Sequence, residues 1–192
     1  MEHPLVRAAQ DRAACVVNGF NVQLLYNKAL FALLGEEAFQ ALFTAEEQRA
    51  IQQHIPWSRL FKDGHTLFEG RMVDLPEFAV QQKDNLVLKP IRLYGGTGVI
   101  LGWEHEQQAW EAALKRALEE PHVLQQRVPT PRETFPIFAD DLSFVSRTVD
   151  VDPYVWRGRE VDHAGVRLGT GDLLNVSAGG SATPMFLVEA VC

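Results

Sequence analysis

The segment 86–99 constrains the fold more than any other part of this sequence. An apolar run at 86–88 is followed by Lys89 and Pro90, and a second apolar run at 99–101 lies between two glycines. Short apolar runs bounded by proline or glycine are typical of buried strands. We therefore predict two strands that pair as a hairpin, joined by a flexible tip.

The tip of this hairpin contains Gly95, Gly96 and Gly98, shortly after Lys89. Residues without a Cβ allow consecutive backbone N–H groups to converge on an anion, and a lysine adds a compact positive charge. The segment matches neither the Walker pattern nor the dinucleotide-binding fingerprint. The residues alone therefore leave two interpretations open, a phosphate-binding loop and an ordinary flexible hairpin.

Three helices are predicted outside this hairpin. The spacing of apolar residues predicts a buried helix over 21–34 that carries Lys28. A capping box that begins at Thr44 predicts a second helix, which ends near Pro56. A third, amphipathic helix is predicted over 104–120. Its apolar face comprises Trp110, Ala113, Leu114, Ala117 and Leu118.

The rest of the sequence predicts strands. The segment 122–128 follows the third helix and forms a further short apolar run. Beyond it, several apolar runs are separated by glycine, proline and aspartate, which are typical turn residues. The segment 168–173, LGTGDL, predicts a tight hairpin turn.

Charge and cysteine content exclude several classes of protein. The chain has 18 Lys and Arg against 25 Asp and Glu, a net charge of −7, which disfavours a nucleic-acid surface. Its two cysteines, Cys15 and Cys192, lie far apart and fit a reducing compartment. No apolar stretch approaches the roughly 18 residues that span a bilayer. We therefore expect a cytoplasmic protein with neither a nucleic-acid nor a membrane partner.

Seven short motifs occur in an order that covers most of the chain. They are HPL at 3–5, VN at 17–18, NKAL at 27–30, HIPW at 54–57, VLKP at 87–90, GGTGV at 95–99 and LNVSAGG at 174–180. As an ordered set they resemble the ATP-grasp superfamily, and within it the C-terminal nucleotide-binding part of the circularly permuted proteins related to glutathionylspermidine synthase. The resemblance implies an α+β ATP-grasp fold, with two lobes of mainly antiparallel sheet around a nucleotide cleft. The smaller lobe would span about 57–125, and the remainder would form the other.

The resemblance also implies which residues bind ATP. The implied contacts are Lys28, Lys89, Tyr94, Gly95, Gly96, Thr97, Gly98, Gln125, Gln126, Arg127 and Val128. Lys28 and Lys89 match the two lysines that approach the phosphates, and Lys89 is also expected to act catalytically. The strand 123–127 would read the adenine edge through its backbone. From the residues alone, Lys28 is equally a lysine whose stem covers apolar surface, and 123–127 equally an ordinary buried strand.

Metal binding departs from the family pattern. Asn175 matches the asparagine that, together with carboxylates, holds Mg²⁺ against the triphosphate. Many family members have Glu where this chain has Leu173, and Asp where it has Arg167. Arg167 is expected to stabilise the transferred phosphate instead. Two nearby aspartates, Asp150 and Asp152, would be oxygen ligands or a solvated acidic turn.

The implied activity is ATP-dependent ligation of a carboxylate to an amine or thiol through an acyl-phosphate. The alternative is a degenerate, non-catalytic nucleotide-binding or structural domain, which Leu173 favours. Family chains are longer than this one. We therefore expect this chain to be a fragment that is inactive by itself, with the acceptor site in an N-terminal domain of the full-length protein. The sequence does not specify the carboxylate and amine substrates.

Overall fold

The chain folds into two compact units. The structure is a computed structural model, and it describes residues 3–138, 140–174 and 180–188. The first unit contains the described residues up to Arg92 together with Gly98–Arg127. The second contains Leu93–Thr97 and the described residues from Val128 onward. The division of the chain into a lobe over 57–125 and a second lobe stays a prediction.

All α-helices that the described residues form lie in the first unit. They are α1 (Pro4–Gln10), α2 (Gln23–Tyr26), α3 (Ala29–Gly35), α4 (Ala45–His54), α5 (Leu75–Gln81) and α6 (Gln107–Glu119). Short 3₁₀ helices cover Phe20–Val22, Glu37–Leu42, Lys83–Asn85 and Gly102–Glu104. Within the described part of the chain, no helix has the length and apolar character needed to span a bilayer.

The strands of the first unit form two antiparallel sheets. The strands are β1 (Ser58–Leu60), β2 (His65–Phe68), β3 (Arg71–Asp74), β4 (Leu86–Pro90), β5 (Ile100–Leu101) and β6 (His122–Gln126). The larger sheet has the order β1-β6-β4-β5, and the smaller one pairs β2 with β3. In the larger sheet Ser58 lies opposite Gln125, and Gln125 in turn lies opposite Val87.

The core of the first unit forms where α5 and α6 pack against β4 and β6. Trp110 of α6 is fully buried, and its indole N–H donates a 2.9 Å hydrogen bond to the carbonyl of Ala79 in α5. Leu86 and Leu88 lie on the same side of β4 because side chains alternate along a strand, and both join this cluster. Burial of these apolar side chains is the main source of stability for this unit.

Gly102 lies where two backbone segments approach closely. A Cβ at this position would lie 1.9 Å from the carbonyl oxygen of Lys83 and 2.9 Å from that of Leu86. Lys83 then donates a hydrogen bond from its ammonium to the Gly102 carbonyl at 2.9 Å. Only glycine therefore fits here without displacing the chain that leads into β4.

The second unit consists mainly of one antiparallel sheet. Its strands are β7 (Arg132–Phe138), β8 (Leu142–Trp156), β9 (Glu160–Gly169) and β10 (Ser181–Thr183), in the order β10-β9-β8-β7. Thr148 is fully buried and donates a 2.7 Å hydrogen bond to the carbonyl of Gly171. Most residues of β7 and the residues at both ends of β8 are exposed. The protein is therefore a mixed α+β chain with antiparallel sheets.

Several local predictions are confirmed. Thr44 caps α4 through its hydroxyl, which accepts from the Glu47 N–H, while the Glu47 carboxylate accepts from the Thr44 N–H at 2.8 Å. The helix ends at His54, before Pro56. The two apolar runs of the glycine hairpin form β4 and β5, which pair antiparallel.

The prediction of one buried helix over 21–34 is wrong. The chain leaves helical conformation at Asn27, which has an extended backbone with φ −76° and ψ 117°. The Asn27 side chain accepts a 3.0 Å hydrogen bond from the Ala29 N–H. Asparagine competes in this way with helical hydrogen bonding, and the helix restarts as α3. Of the α3 residues, Ala32 is the buried one.

Two further expectations are corrected. Leu118, predicted to lie on the apolar face of the third helix, is exposed, because it lies one residue further around α6 than the buried Ala117. The segment 168–173 is not a tight hairpin turn. The strand β9 continues through Leu168 to Gly169, inside the predicted turn, and Leu168 pairs with Ser181 of β10.

Candidate functional site

Lys89 lies close to the end of a buried strand. β4 is fully buried up to Leu88, and Lys89 and Pro90 are partly buried. Burial lowers the pKa of Lys89 below the usual lysine value, and the positive charge of Lys28 lowers it further. No carboxylate among the described residues forms an ion pair with Lys89. Binding of an anion beside this ammonium would therefore stabilise its charged form.

A chain of hydrogen bonds runs from Lys89 into the sheet. The Lys89 ammonium donates to Oε1 of Gln125 at 2.6 Å, and Nε2 of Gln125 donates to the hydroxyl of Ser58 at 2.9 Å. The Ser58 hydroxyl in turn donates to the carbonyl of Pro56 at 2.8 Å. Ser58 and Gln125 are both buried. Because each group has a partner, the free-energy cost of burying them is offset.

Lys28 immediately precedes α3 and is tied to the end of the Lys89 strand. Its backbone N–H donates a 2.9 Å hydrogen bond to the carbonyl of Ile91, the residue after β4. Its ammonium lies 5.9 Å from the centre of the Tyr26 ring. Burial lowers the pKa of Lys28 as well. The backbone hydrogen bond to Ile91 therefore holds Lys28 near the end of the strand that carries Lys89.

The glycine loop has a left-handed backbone at three positions. The φ values are +63° at Gly95, +77° at Gly96 and +71° at Gly98. This region disfavours side chains with a Cβ, so the three glycines have a conformational reason to be there. Between them, the N–H of Thr97 donates a 3.1 Å hydrogen bond to the carbonyl of Tyr94, whose ring is exposed.

Leu173 packs against this loop within the second unit. A Cβ at Gly96 would lie 3.2 Å from Cδ2 of Leu173. The resemblance to ATP-grasp proteins predicts a glutamate at the position of Leu173. Its isobutyl group therefore fills space beside the glycine loop and brings no oxygen atom to it.

The strand expected to read adenine uses part of its backbone within the protein. The N–H of Gln126 donates to the carbonyl of Trp57 at 2.8 Å, and the N–H of Arg127 donates to the carbonyl of Asn85 at 2.8 Å. The guanidinium of Arg127 lies 3.9 Å from the centre of the Trp103 ring, a cation–π contact. Val128, the next predicted contact, is exposed.

Arg167 pairs with both aspartates that were candidate metal ligands. Its Nη2 contacts a carboxylate oxygen of Asp150 and lies 3.0 Å from one of Asp152. Asp150 lies opposite Arg167 in the β8–β9 register, so the sheet brings the pair together. The Nε atom of Arg167 is buried and has no hydrogen-bond partner among the residues described. The Nη2 atom of Arg167 therefore bridges the two carboxylates.

The described residues do not fit a Mg²⁺ site. Asp150 and Asp152 are ion-paired with Arg167, and the side chain of Leu173 has no atom that could coordinate a metal ion. No group of three or more His, Cys, Asp or Glu side chains in 3–138, 140–174 and 180–188 is arranged to hold a metal ion. Asn175, the predicted metal ligand, lies outside the described residues. We derive no chemical step through a metal ion from this arrangement.

Sequence reasoning missed Ser58. The available signal was that Gln125 interrupts an apolar strand, because a buried amide needs a partner on a neighbouring strand. The identity of that partner depends on the register between β1 and β6, which aligns residues far apart in the sequence. Apolar periodicity does not specify such a register.

No protein-family model matches the chain, and no curated protein matches it. The assignment of a function therefore rests on the residues of each unit taken separately. The first unit contains Lys28, Lys89 and Gln125, and the second contains Arg167 with its two aspartate partners.

Proposed function

We propose that this chain is the nucleotide-binding part of an ATP-dependent carboxylate–amine ligase of the ATP-grasp type. The observation that carries the proposal is the pair of lysines, Lys28 and Lys89, at the end of β4. Both ammonium groups have a pKa lowered by burial, and the charge of Lys28 adds to the effect at Lys89. The ordered motifs that resemble ATP-grasp proteins support the same conclusion.

The charged form of Lys89 is disfavoured by burial and by the positive charge of Lys28, and an anion that binds Lys89 offsets this cost. Burial removes water that would otherwise screen the charges, and their mutual repulsion adds to this cost. A triphosphate carries several negative charges and accepts hydrogen bonds from ammonium groups, so it relieves both effects. The lysine pair therefore favours a polyphosphate over a singly charged ligand.

The glycine loop supports a phosphate ligand by a separate argument. Consecutive backbone N–H groups near left-handed residues form concave sites for anions. Gly95 and Gly96 have this conformation and follow β4 closely in the chain. The proposal assigns Tyr94, Thr97 and Gly98 to the same loop contact, and Gln126, Arg127 and Val128 to the adenine.

The proposed reaction has two steps. An oxygen of the acceptor carboxylate attacks the γ-phosphorus of ATP, and ADP leaves with the electron pair of the broken P–O bond. The nitrogen of an amine then attacks the acyl carbon, loses a proton and expels phosphate. In such chemistry the protein acts mainly by positioning and by charge stabilisation. Lys28 and Lys89 hold the phosphates in this scheme, and the role of Arg167 toward the transferred phosphate stays a prediction.

Calorimetric titration of the chain with MgATP tests the proposal. We expect saturable binding that Lys89→Ala weakens by about tenfold or more, since a hydrogen bond to a charged group is worth on the order of 1.5–3 kcal/mol. Lys115→Ala is the matched control, because it removes the same charge from an exposed position of α6. Equal affinity of both variants, or no binding by the wild type, would rule out Lys89 as a phosphate ligand.

The packing of Leu173 favours a second candidate, a nucleotide-binding domain without ligase activity. Its side chain occupies the position of an expected carboxylate, and the two candidate ligands Asp150 and Asp152 are ion-paired with Arg167. An assay of ADP release with a panel of amino acids and polyamines separates the candidates. Sustained, acceptor-dependent ADP release identifies a ligase, whereas MgATP binding without such release identifies the non-catalytic domain.

A further inference from the structure

Gln125 is a buried polar residue of the larger sheet of the first unit, and it lies beside apolar residues of β6 and β4. Its neighbours in β6, Val123 and Leu124, are buried, and so is Val87 opposite it in β4. Alternation along the strands places Gln125, Val87 and Lys89 on one face of the sheet. An amide in this position is costly unless both its ends are hydrogen-bonded, which the contacts to Lys89 and Ser58 achieve.

The chemical nature of Gln125 determines what happens to the charge of Lys89. A carboxylate at this position would orient the ammonium and also cancel its charge. The amide oxygen orients the ammonium through a 2.6 Å hydrogen bond and carries no net charge. A lysine ammonium has three N–H donors. Within the described part of the chain, the Lys89 ammonium uses one of them, in the hydrogen bond to Gln125. Lys89 is thus held in place with its charge intact.

Ser58 fixes the amide in turn. Its hydroxyl accepts from Nε2 of Gln125 and donates to the carbonyl of Pro56, so the direction of each hydrogen bond in the chain is determined. Because Nε2 faces the hydroxyl, Oε1 must face Lys89. A flipped amide would direct an N–H donor at the ammonium and lose that hydrogen bond.

We propose that Gln125, oriented by Ser58, is a positioning residue that holds the Lys89 ammonium in place without neutralising it, so that the full charge remains available to an anion. The proposal rests on the proposed function, since the ATP phosphates are the anion in question. It adds two residues that act through Lys89 rather than on the nucleotide directly.

The first test measures Lys89 itself and needs no nucleotide. Trace acetylation with acetic anhydride over a range of pH, read out by peptide mass spectrometry, reports the pKa of Lys89 in the folded protein. We expect Gln125→Met to lower this pKa by about one unit, because the hydrogen bond to the charged form is lost. We expect Gln125→Glu to raise it, because a carboxylate favours the charged form.

The matched control is Gln40→Met, which removes a partly buried amide that donates to the carbonyls of Leu34 and Glu36. It reports the effect of losing such an amide on the fold alone, and we expect the pKa of Lys89 to match the wild type. Ser58→Ala provides a milder variant if Gln125→Met does not fold, and we expect a smaller decrease in the pKa. An unchanged pKa of Lys89 in the folded Gln125 variants, or in Ser58→Ala and Gln125→Glu together, overturns the positioning role.

The second test measures MgATP affinity by calorimetry in the same variants. We expect both Gln125→Met and Gln125→Glu to weaken binding several-fold, the first because Lys89 is no longer held and the second because its charge is neutralised. Unchanged affinity in both would contradict the proposal. If the wild type does not bind MgATP but the pKa of Lys89 still responds to Gln125, the nucleotide function fails and the positioning of Lys89 stands.

Discussion

The two units are stabilised in different ways. In the first, helices α5 and α6 and strands β4 and β6 enclose a continuous apolar core around Trp110. In the second, long strands pair over many residues, yet large apolar side chains such as Phe138, which is 77% exposed, and Phe144, which is 67% exposed, remain on the surface. Side-chain packing therefore dominates the first unit, whereas backbone hydrogen bonding contributes a larger share in the second.

This contrast has a consequence for the site. Lys89 and Gln125 belong to strands that form the wall of the packed core, and groups on such elements are held more firmly than groups on loops. Arg167 lies in the sheet of the second unit, where it forms ion pairs with the partly exposed side chains of Asp150 and Asp152. We therefore expect the lysines to keep their geometry under conditions that loosen the second unit.

The largest expected effect is that of Trp110→Ala. The change removes a fully buried indole and its hydrogen bond to Ala79, which should reduce the free energy of unfolding by about 3–5 kcal/mol. Urea denaturation followed by circular dichroism measures it.

The matched control for this change is Trp156→Ala in the second unit. Trp156 also donates a hydrogen bond from its indole, to Asp162, but it is 47% exposed. We expect a cost below about 1 kcal/mol, as for other surface substitutions. Equal losses for the two tryptophans would refute the contrast between the units.

The next largest effect is expected for Gly102→Ala. The new methyl group would lie far inside the contact distance to the Lys83 carbonyl, so the backbone must move, at a cost of about 1–3 kcal/mol or more. Gly171→Ala in the second unit is the control, because no atom lies within 4 Å of its Cβ position. Thermal unfolding of both variants measures the difference. A Gly102 variant as stable as the Gly171 variant would mean that the close approach is absent.

A smaller effect is expected for Thr148→Val, which probes the second unit. It replaces the buried hydroxyl that donates to Gly171 and should cost about 1 kcal/mol. Amide hydrogen exchange should accelerate in β8 and β9, while the amides of β4 and β6 keep their protection. Acceleration in both units to the same degree would show that they unfold together.

The smallest effect concerns the pH dependence of stability. The pKa of Lys89 is lower in the folded protein than in the unfolded chain, so between these two pKa values the unfolded chain binds more protons. The free energy of unfolding of the wild type should therefore rise, relative to Lys89→Met, from pH 7 to about pH 10. Urea denaturation of the wild type and of Lys89→Met at both pH values measures the change. A relative decrease would mean that folding raises the pKa of Lys89.

The local features of the fold were predictable from sequence because their signals are local. The capping box at Thr44 needs residues within one helical turn, and the face of α6 around Trp110 follows from helical periodicity. The break at Asn27 was missed because a side-chain hydrogen bond to Ala29 competes with helical bonding within an apolar run. The helical spacing of apolar residues carries no information about such a side-chain hydrogen bond.

The site was predictable only in part, because it depends on strand register. Lys89 stood out from its position after an apolar run and before the glycines. The alignment of Ser58 with Gln125, and of Arg167 with Asp150, joins residues far apart in the chain. Long-range register follows from tertiary packing and from turn geometry, so the sequence near each residue does not contain it.

The hydrogen bond from the Lys28 N–H to the Ile91 carbonyl joins main chain to main chain. No side chain takes part in it, so substitutions at 28 and 91, apart from proline at 28, leave it in place. Substitution of either side chain should therefore leave the distance between the backbones of Lys28 and Lys89 unchanged. Evolution or design is consequently able to exchange the ammonium groups one at a time while the spacing between the two positions stays constant.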